Sequence, residues 1–175
     1  MSLPRELGGL NAPLLLYFLN SEVLGRADVS VMAHHGFHGG IAMALLFFSL
    51  MEGSTQVDPA RRRITATRWE AAIREIAAGR AWGCMDITEP DAGSDVAGMR
   101  TKVVQHGDDY VITGQKRWIT NGSVARFHTV FATFDPSLRH AGMAAFIVPA
   151  DAPGVKVGRL EEKMGQRASH TCDVI

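Results

Sequence analysis

The spacing of apolar residues changes near Arg80, and this change limits the possible folds more than any other feature of the sequence. Before Arg80, apolar residues recur at helical intervals. After it, segments are short, alternating and rich in β-branched residues, with turn-forming residues between them. The sequence therefore predicts an α+β chain. A partial helical domain (residues 1–80) precedes an antiparallel, barrel-like β domain (residues 81–175).

Several helices are predicted in the first half. One is capped by Asn11, has Pro13 in its first turn, covers residues 14–24 and stops at Gly25. A second begins at Asp28 or Ser30, and three glycines interrupt it: Gly36, Gly39 and Gly40. Residues 41–51 then form a buried helix, because this apolar run is far shorter than the roughly 20 residues that cross a membrane.

The strongest helix signal follows a polar connecting segment at residues 54–66. Thr67 and Glu70 have the spacing of a capping box, and Gly79 stands where a helix ends with a glycine. Eight strands are then predicted: 82–87, 100–106, 109–113, 116–120, 128–134, 143–148, 155–160 and 170–175.

Composition excludes several classes of function. The 18 basic and 18 acidic residues balance, and Arg61–Arg63 is only a short basic run, so nucleic-acid binding is not indicated. Cys84 and Cys172 have no paired spacing, which favours free buried thiols in a reducing compartment. The sequence shows no secretory signal pattern.

His34, His35 and His38 form a cluster. His34 and His38 have the spacing of a metal pair on a helix, but packing at a helix end explains the cluster better.

Two stretches of the β half have the composition of a ligand site. Residues 88–95, TEPDAGSD, form a loop with short hydroxyl and acidic side chains, and residues 114–122, GQKRWITNG, form a strand closed by the turn Asn121–Gly122. Hydrogen-bond donors beside one flat ring suit a planar heteroaromatic ligand. From residue types alone, the alternative is that Trp118 packs in the core and Thr120 is only a strand former.

These two stretches resemble the paired motif of the acyl-CoA dehydrogenase family of FAD flavoproteins. Further stretches match that family in the same order: LGGL at 7–10, SEVLGRAD at 21–28, FIVP at 146–149 and KMGQRAS at 163–169. The resemblance spans nearly the whole chain. It implies the N-terminal helical and middle β regions of the family, without its C-terminal helical-bundle domain.

The resemblance also implies roles for particular residues. Trp118 and Ile119 would lie beside the flavin ring system, and the Thr120 hydroxyl would bond the flavin nitrogen that receives hydride. The pyrimidine side would face Met85, Asp86, Ile87 and Thr88, together with Gly93 and Ser94. Ser94 would also lie near the acyl-CoA substrate. Asp86 departs from the small or apolar residue expected at its position.

The implied reaction is FAD-dependent α,β-dehydrogenation of an acyl-CoA thioester, with an electron-transfer flavoprotein as acceptor. The family's catalytic Glu lies in the C-terminal domain, and the last residues, 170–175, have the pattern of an unfinished strand. We therefore expect an inactive fragment. The full-length protein is expected to be a homodimer or homotetramer without a membrane span, in the cytoplasm or, in a eukaryote, in the mitochondrial matrix.

Two other functions fit the same sequence. One is an acyl-CoA oxidase or another flavin-dependent relative, such as a nitroalkane oxidase or a monooxygenase, which would share the flavin loops. The other is a non-catalytic β domain that binds a ligand or partner. Oxygen consumption separates the first from a dehydrogenase, and a failure to bind FAD favours the second.

Overall fold

The computed structural model describes residues 2–175, which form two compact units. The first ends at Trp82, and the second is Gly83–Ile175. Helices dominate the first unit and strands the second. The predicted α+β class, with helices before sheets, is confirmed.

The first unit contains three helices and a small hairpin. The helices are α1 (Leu14–Ala27), α2 (Val29–Met51) and α3 (Glu70–Ala77); the hairpin strands are β1 (Gln56–Asp58) and β2 (Arg63–Ala66), which pair antiparallel. The hairpin occupies the segment that the sequence predicted to be a simple connection. That prediction was wrong because the segment is polar and exposed, which hides its strand pattern.

The boundary between α1 and α2 is set by Asp28. Its carboxylate accepts hydrogen bonds from the backbone N–H groups of Ser30 (2.6 Å) and Val31 (3.1 Å), as an N-cap does. The predicted stop at Gly25 was wrong, since α1 continues to Ala27. The predicted Asn11 cap was also wrong: Pro13 holds the cap position, and no side chain bonds the first turn.

Helix α2 runs without a break through the three glycines that were predicted to interrupt it. Its neighbour α1 explains two of them, Gly36 and Gly39. The Tyr17 hydroxyl donates to the carbonyl of Gly36 (2.9 Å), and a Cβ added at Gly39 would lie 3.1 Å from the Tyr17 ring. Glycine costs a helix about 1 kcal/mol relative to alanine, but here it admits a tyrosine close to the helix backbone.

The apolar end of α2 is not buried on all sides, as the sequence predicted. Phe47, Phe48 and Met51 are exposed, and only 17% of the helix's most apolar 18-residue stretch is buried. Within residues 2–175, α2 is the one helix long and apolar enough to cross a membrane by length and composition. That is weak evidence, because core helices of other proteins pass the same test; the absence of a membrane span stays a prediction.

Helix α3 ends as predicted but does not begin as predicted. Gly79 adopts a left-handed φ of +70°, its N–H bonds Ile76 O (2.9 Å), and the Arg80 N–H bonds Glu75 O (3.0 Å). At the start, however, Thr67 makes no capping bond. Its hydroxyl lies 2.9 Å from the hydroxyl of Thr55, which draws it away from the helix.

The second unit contains all eight predicted strands, with ends shifted by one or two residues. They are β3 (Gly83–Asp86), β4 (Lys102–His106), β5 (Asp109–Thr113), β6 (Lys116–Thr120), β7 (Phe127–Thr133), β8 (Met143–Pro149), β9 (Val157–Leu160) and β10 (Thr171–Val174). One sheet has the order β6-β10-β9. The other has the order β3-β7-β4-β5, with β8 also paired to β7.

The strands do not close into a barrel, and the pairing is not wholly antiparallel. Strand β7 pairs in parallel with β3, and with β4 at its far end through Lys102 and Thr133. Strand order along the chain does not show which strands pair, so a sequence of short strands could not reveal this. A small core cluster contains Cys84, Ile119, Ala125, Cys172 and Val174.

Candidate functional site

The two motif stretches are held together by hydrogen bonds at their ends. The N–H of Arg117 donates to the carbonyl of Thr88 (2.8 Å), and Lys116 Nζ donates to the carbonyl of Ile87 (3.2 Å). The end of β3 and the loop after it are therefore fixed beside β6. Two sets of predicted ligand residues, 85–88 and 118–120, thus belong to adjoining backbone.

A buried ion pair strengthens this junction. Lys116 Nζ lies 2.8 Å from Glu89 Oε1, and both side chains are almost fully buried. Glu89 also accepts the backbone N–H groups of Arg100 (2.6 Å) and Thr101 (2.9 Å). Burial raises the pKa of Glu89, but these hydrogen bonds outweigh it and leave the pKa below its ordinary value. For Lys116, burial is stronger than the attraction of Glu89 and lowers the pKa.

The side chain of Trp118 is turned outward by a β-bulge in β6. Ile119 pairs with Cys172, whereas Lys116 pairs with Val174, so two residues of β6 face the single Asp173 of β10. Trp118 is one of these two residues of the bulge. Its φ of +58° is rare for a bulky side chain. Regular alternation would have placed it on the same face as buried Lys116.

The consequence is an exposed indole beside a buried neighbour. Trp118 is 60% exposed, while Ile119 is only 2% exposed. The alternative in which Trp118 packs in the β core is therefore wrong. The Arg117 guanidinium lies 5.6 Å from the centroid of the Trp118 ring and makes a cation–π contact with the indole.

The other predicted site residues differ in exposure. Met85, Gly93 and Ser94 are exposed, and Ile87, Thr88 and Thr120 are half-buried. These residues can present backbone and hydroxyl groups to a ligand at the surface of the second unit. Asp86 is fully buried, as is the Ile119 side chain, which leaves only their backbone groups for such a role.

Asp86 has its own buried partners. Its Oδ2 lies 2.8 Å from Nδ1 of His128, and the same Nδ1 lies 3.0 Å from Sγ of Cys84. Burial, followed by the negative charge of Asp86, raises the pKa of the Cys84 thiol well above its ordinary range. The unexpected acid at position 86 is thus matched by a histidine 42 residues away.

The three histidines of α2 pack against aromatic rings. The rings of His34 and His38 lie 5.0 and 4.6 Å from the Trp82 ring, and His38 Nε2 is 2.6 Å from the carbonyl of Ile76. His35 stacks on Tyr17 at 4.9 Å. Burial lowers the pKa of His35 and, against an opposing hydrogen bond, that of His38. The three histidines therefore have a packing role, as predicted. They lie in the middle of α2, whereas the sequence predicted a helix end.

A separate concave surface lies in the first unit. Its volume is about 550 Å³, and it is lined by Arg5, Glu6, Asn11, Arg61, Arg62 and Arg63. None of these residues was predicted to form a site. Four of the six are arginines, and the one carboxylate, that of Glu6, accepts the backbone N–H of Ile64 (2.8 Å).

Sequence reasoning missed two residues that organise the second unit. Lys116 was overlooked as a strand residue, although a lysine on the buried face of an alternating strand signals a buried partner. His128 gave no local signal at all. The acids of the loop have distant partners: Glu89 bonds backbone 11 and 12 residues on, and Asp95 pairs with Arg139 (2.8 Å).

Comparisons with known proteins agree on one group. Residues 84–175 match the family model described as acyl-CoA dehydrogenase, middle domain. The whole chain is 31% identical to human mitochondrial short-chain specific acyl-CoA dehydrogenase and spans 39% of that protein's length. The chain thus spans about two fifths of the length of this relative.

Solved structures give the same picture. A chain in a structure of the electron transferring flavoprotein of Acidaminococcus fermentans is similar over all of this chain and 42% of its own length, with a TM-score of 0.86 and 30% identity. A glutaryl-CoA dehydrogenase from Mycobacterium smegmatis in complex with FADH2 is similar over 82% of this chain and 32% of its own length, with a TM-score of 0.61 and 32% identity.

Proposed function

The chain belongs to the acyl-CoA dehydrogenase family, and from this premise we propose that the complete protein is an FAD-dependent acyl-CoA dehydrogenase. It would remove the α and β hydrogens of an acyl-CoA thioester. Residues 83–175 would supply one wall of the flavin site. The catalytic base would come from outside this chain, since neither buried Glu89 nor Asp95, which is paired with Arg139, is free to act as one.

The outward Trp118 is the observation that carries this proposal. An aromatic side chain in a left-handed backbone conformation costs about 1–2 kcal/mol. Burial of the indole does not offset this cost, because the ring is 60% exposed. Such strain is retained at sites where a ligand needs the side chain, and a flat ring supports a flat cofactor.

The residues present fit FAD. Trp118 and Met85 offer exposed apolar surface, and Thr88 and Thr120 offer half-buried hydroxyls on adjoining segments. These groups, with the backbone of Asp86, Ile87 and Ile119 and with Gly93 and Ser94, would hold the isoalloxazine. When bound, FAD supplies the acceptor for the hydride. The chain's own residues orient the ring through the Trp118 face and donate hydrogen bonds from Thr88 and Thr120.

Ser94 has a second proposed contact. It is exposed, in the loop that follows β3, and it is expected to lie near the acyl-CoA where that substrate meets the flavin. The Lys116–Glu89 pair would act behind this loop. It fixes the loop to β6 and has no free donor for the substrate.

Partners and location follow from the relatives and are proposed on that basis. The human relative is mitochondrial and the similarity includes a structure of an electron transferring flavoprotein. The full-length protein would therefore deliver electrons to such a flavoprotein, in the cytoplasm or a mitochondrial matrix. A dimer or tetramer stays an expectation from the sequence resemblance alone. Nucleic acid is not a proposed partner.

The test compares Trp118→Ala with Phe134→Ala in the full-length protein. Phe134 is a matched control because it is another exposed aromatic residue of the second unit, packed near Tyr110 and Phe146. The wild type should purify yellow and reduce an electron-acceptor dye when given an acyl-CoA. Flavin content should fall severalfold in Trp118→Ala and stay unchanged in Phe134→Ala.

Three outcomes would contradict or change the proposal. A colourless wild-type protein after mild purification would contradict the proposal. Oxygen consumption in place of dye reduction would assign the protein to the oxidases. Equal flavin loss in the two variants would mean that Trp118 has no special role.

A further inference from the structure

Three buried side chains that could bind a metal converge on one face of the larger sheet. Cys84 of β3 and His128 of β7 are direct partners across the parallel pairing, and Asp86 lies two residues beyond Cys84. Side chains of directly paired strand residues, and of residues two apart, share a face. All three side chains are at most 1% exposed.

The distances show that Asp86 and Cys84 compete for one atom, Nδ1 of His128. Nδ1 of His128 is 2.8 Å from Asp86 Oδ2 and 3.0 Å from Cys84 Sγ. A single N–H can point at only one of them. If it donates to Asp86, the thiol is left with a contact of 3.7 Å to the carbonyl of Phe127.

One oxygen of this cluster also has no partner. Oδ1 of Asp86 is buried and accepts no hydrogen bond from any group in residues 2–175. A buried carboxylate oxygen without a partner is costly, and native proteins satisfy such atoms with protein groups, water or ions. His128 Nε2 is a second buried atom of the cluster without a hydrogen-bond partner in residues 2–175.

A divalent metal ion would bind the Cys84 thiolate, the Asp86 carboxylate and Nδ1 of His128 at once. One thiolate, one carboxylate and one neutral imidazole carry a charge of −2, which a divalent ion cancels. The donor atoms lie within 4.8 Å of one another. Zinc-bound atoms stand about 3.3–3.8 Å apart, given metal–ligand distances of about 2.0–2.3 Å, so each contact to Nδ1 would lengthen by less than about 1 Å.

We propose that Cys84, Asp86 and His128 form a binding site for a thiophilic divalent metal ion, with Zn²⁺ the best match to this donor set. Sulfur, imidazole nitrogen and carboxylate oxygen together favour zinc over the oxygen-seeking calcium and magnesium. The three side chains would fill three of the four positions of a tetrahedral zinc ion, and the ion would tie β3 to β7 behind the exposed Met85. This inference does not depend on the flavin proposal.

The experiment uses the 175-residue chain, reduced and treated with a chelator, without added flavin. We expect native mass spectrometry to show about one Zn²⁺ per chain after addition of one equivalent of zinc chloride, and the melting temperature to rise. Co²⁺ in place of Zn²⁺ should give the absorption band of a cobalt–thiolate bond. That band distinguishes this cluster from surface histidines, which have no sulfur.

Variants then assign the ligands. Asp86→Asn and His128→Gln should each weaken Zn²⁺ binding at least about tenfold. His170→Gln is the matched control, because His170 is an exposed histidine of the same unit whose Nδ1 meets Ser123 (2.9 Å), and it should bind like the wild type. Circular dichroism checks that each variant is folded.

The proposal is overturned if the wild type binds clearly less than one equivalent of Zn²⁺, or if its Co²⁺ form lacks the thiolate band. It is also overturned if folded Asp86→Asn and His128→Gln bind Zn²⁺ as the wild type does. If either variant fails to fold, the wild-type Co²⁺ spectrum decides by itself.

Discussion

At the scale of single residues, backbone strain and buried charge distinguish the proposed site from ordinary β structure. Trp118 adopts a φ of +58°, and its indole is exposed, so burial of the ring does not offset the backbone strain. Lys116, two residues earlier, is buried with Glu89. One strand of five residues thus contains a strained aromatic and a desolvated lysine, and each makes a separate prediction.

Replacing Trp118 with glycine should separate ligand binding from folding. Glycine adopts a positive φ without strain, and the exposed indole contributes little packing. We expect the free energy of unfolding of Trp118→Gly to be unchanged or to rise by up to about 1 kcal/mol. Ile119→Ala, at the adjacent buried position, should lower it by about 2–4 kcal/mol. Urea unfolding of the chain measures both, and a large loss in Trp118→Gly would contradict the strain argument.

Glu89 should make the chain sensitive to acid. Its folded pKa is lowered, so the carboxylate stabilises the fold above its ordinary pKa of 4.5, and this stability is lost as the pH falls through the lower folded value. In Glu89→Gln that part of the pH dependence should disappear. The variant should also be less stable at pH 7, by about 3 kcal/mol, because Lys116 is left buried and unpaired.

The double variant Glu89→Gln/Lys116→Met tests the pairing itself. It removes the unpaired charge while the glutamine still accepts a backbone hydrogen bond, so it should be more stable than Glu89→Gln alone. Thermal unfolding between pH 3 and 7 compares four proteins: the wild type, Glu89→Gln, Lys116→Met and the double variant. Purely additive losses would show that Lys116 and Glu89 are not coupled.

At the scale of elements, the structure shows where local signals decide and where contacts override them. The Asp28 cap and the Gly79 ending are local and were predictable from the sequence. The three glycines of α2 likewise predict a local break, but the helix is unbroken. Contact with Tyr17 of α1 explains Gly36 and Gly39, and nothing in the structure explains Gly40. The bulge in β6 depends in the same way on its partner strand β10.

The glycines of α2 offer a matched test of this interpretation. A Cβ at Gly40 meets nothing within 4 Å, whereas a Cβ at Gly39 lies 3.1 Å from the Tyr17 ring. Gly40→Ala should therefore raise the free energy of unfolding by about 0.5–1 kcal/mol through helix propensity. Gly39→Ala should gain less or lose stability. Equal gains in the two variants, measured by thermal unfolding, would show that the Tyr17 contact is unimportant.

At the scale of the whole molecule, exposed apolar side chains are concentrated on α1 and α2. Members of this set that are about half exposed or more include Leu15, Phe18, Val23, Phe47, Phe48 and Met51. Extensive exposed apolar surface of this kind marks a surface prone to association. The chain is thus expected to self-associate in solution.

Charge placed on this surface should reduce association. In the variant Phe47→Glu/Phe48→Glu, two exposed rings of α2 become carboxylates, and the concentration-dependent mass seen by light scattering should fall toward that of one chain. Val104→Glu/Val111→Glu is the control, because these two exposed valines are paired on strands of the second unit. Equal effects from the two variants would place the association elsewhere.

The sequence by itself determined the change from helices to strands, the positions of all eight strands of the second unit and the family. Those properties depend on residues close together in the chain, where periodicity, caps and turn residues act. Only the tertiary structure decided the parallel pairing of β7, the outward Trp118 and the burial of Asp86 with His128. Each of these depends on a partner dozens of residues away, and a local pattern of apolar residues contains no information about which distant strand will lie beside it.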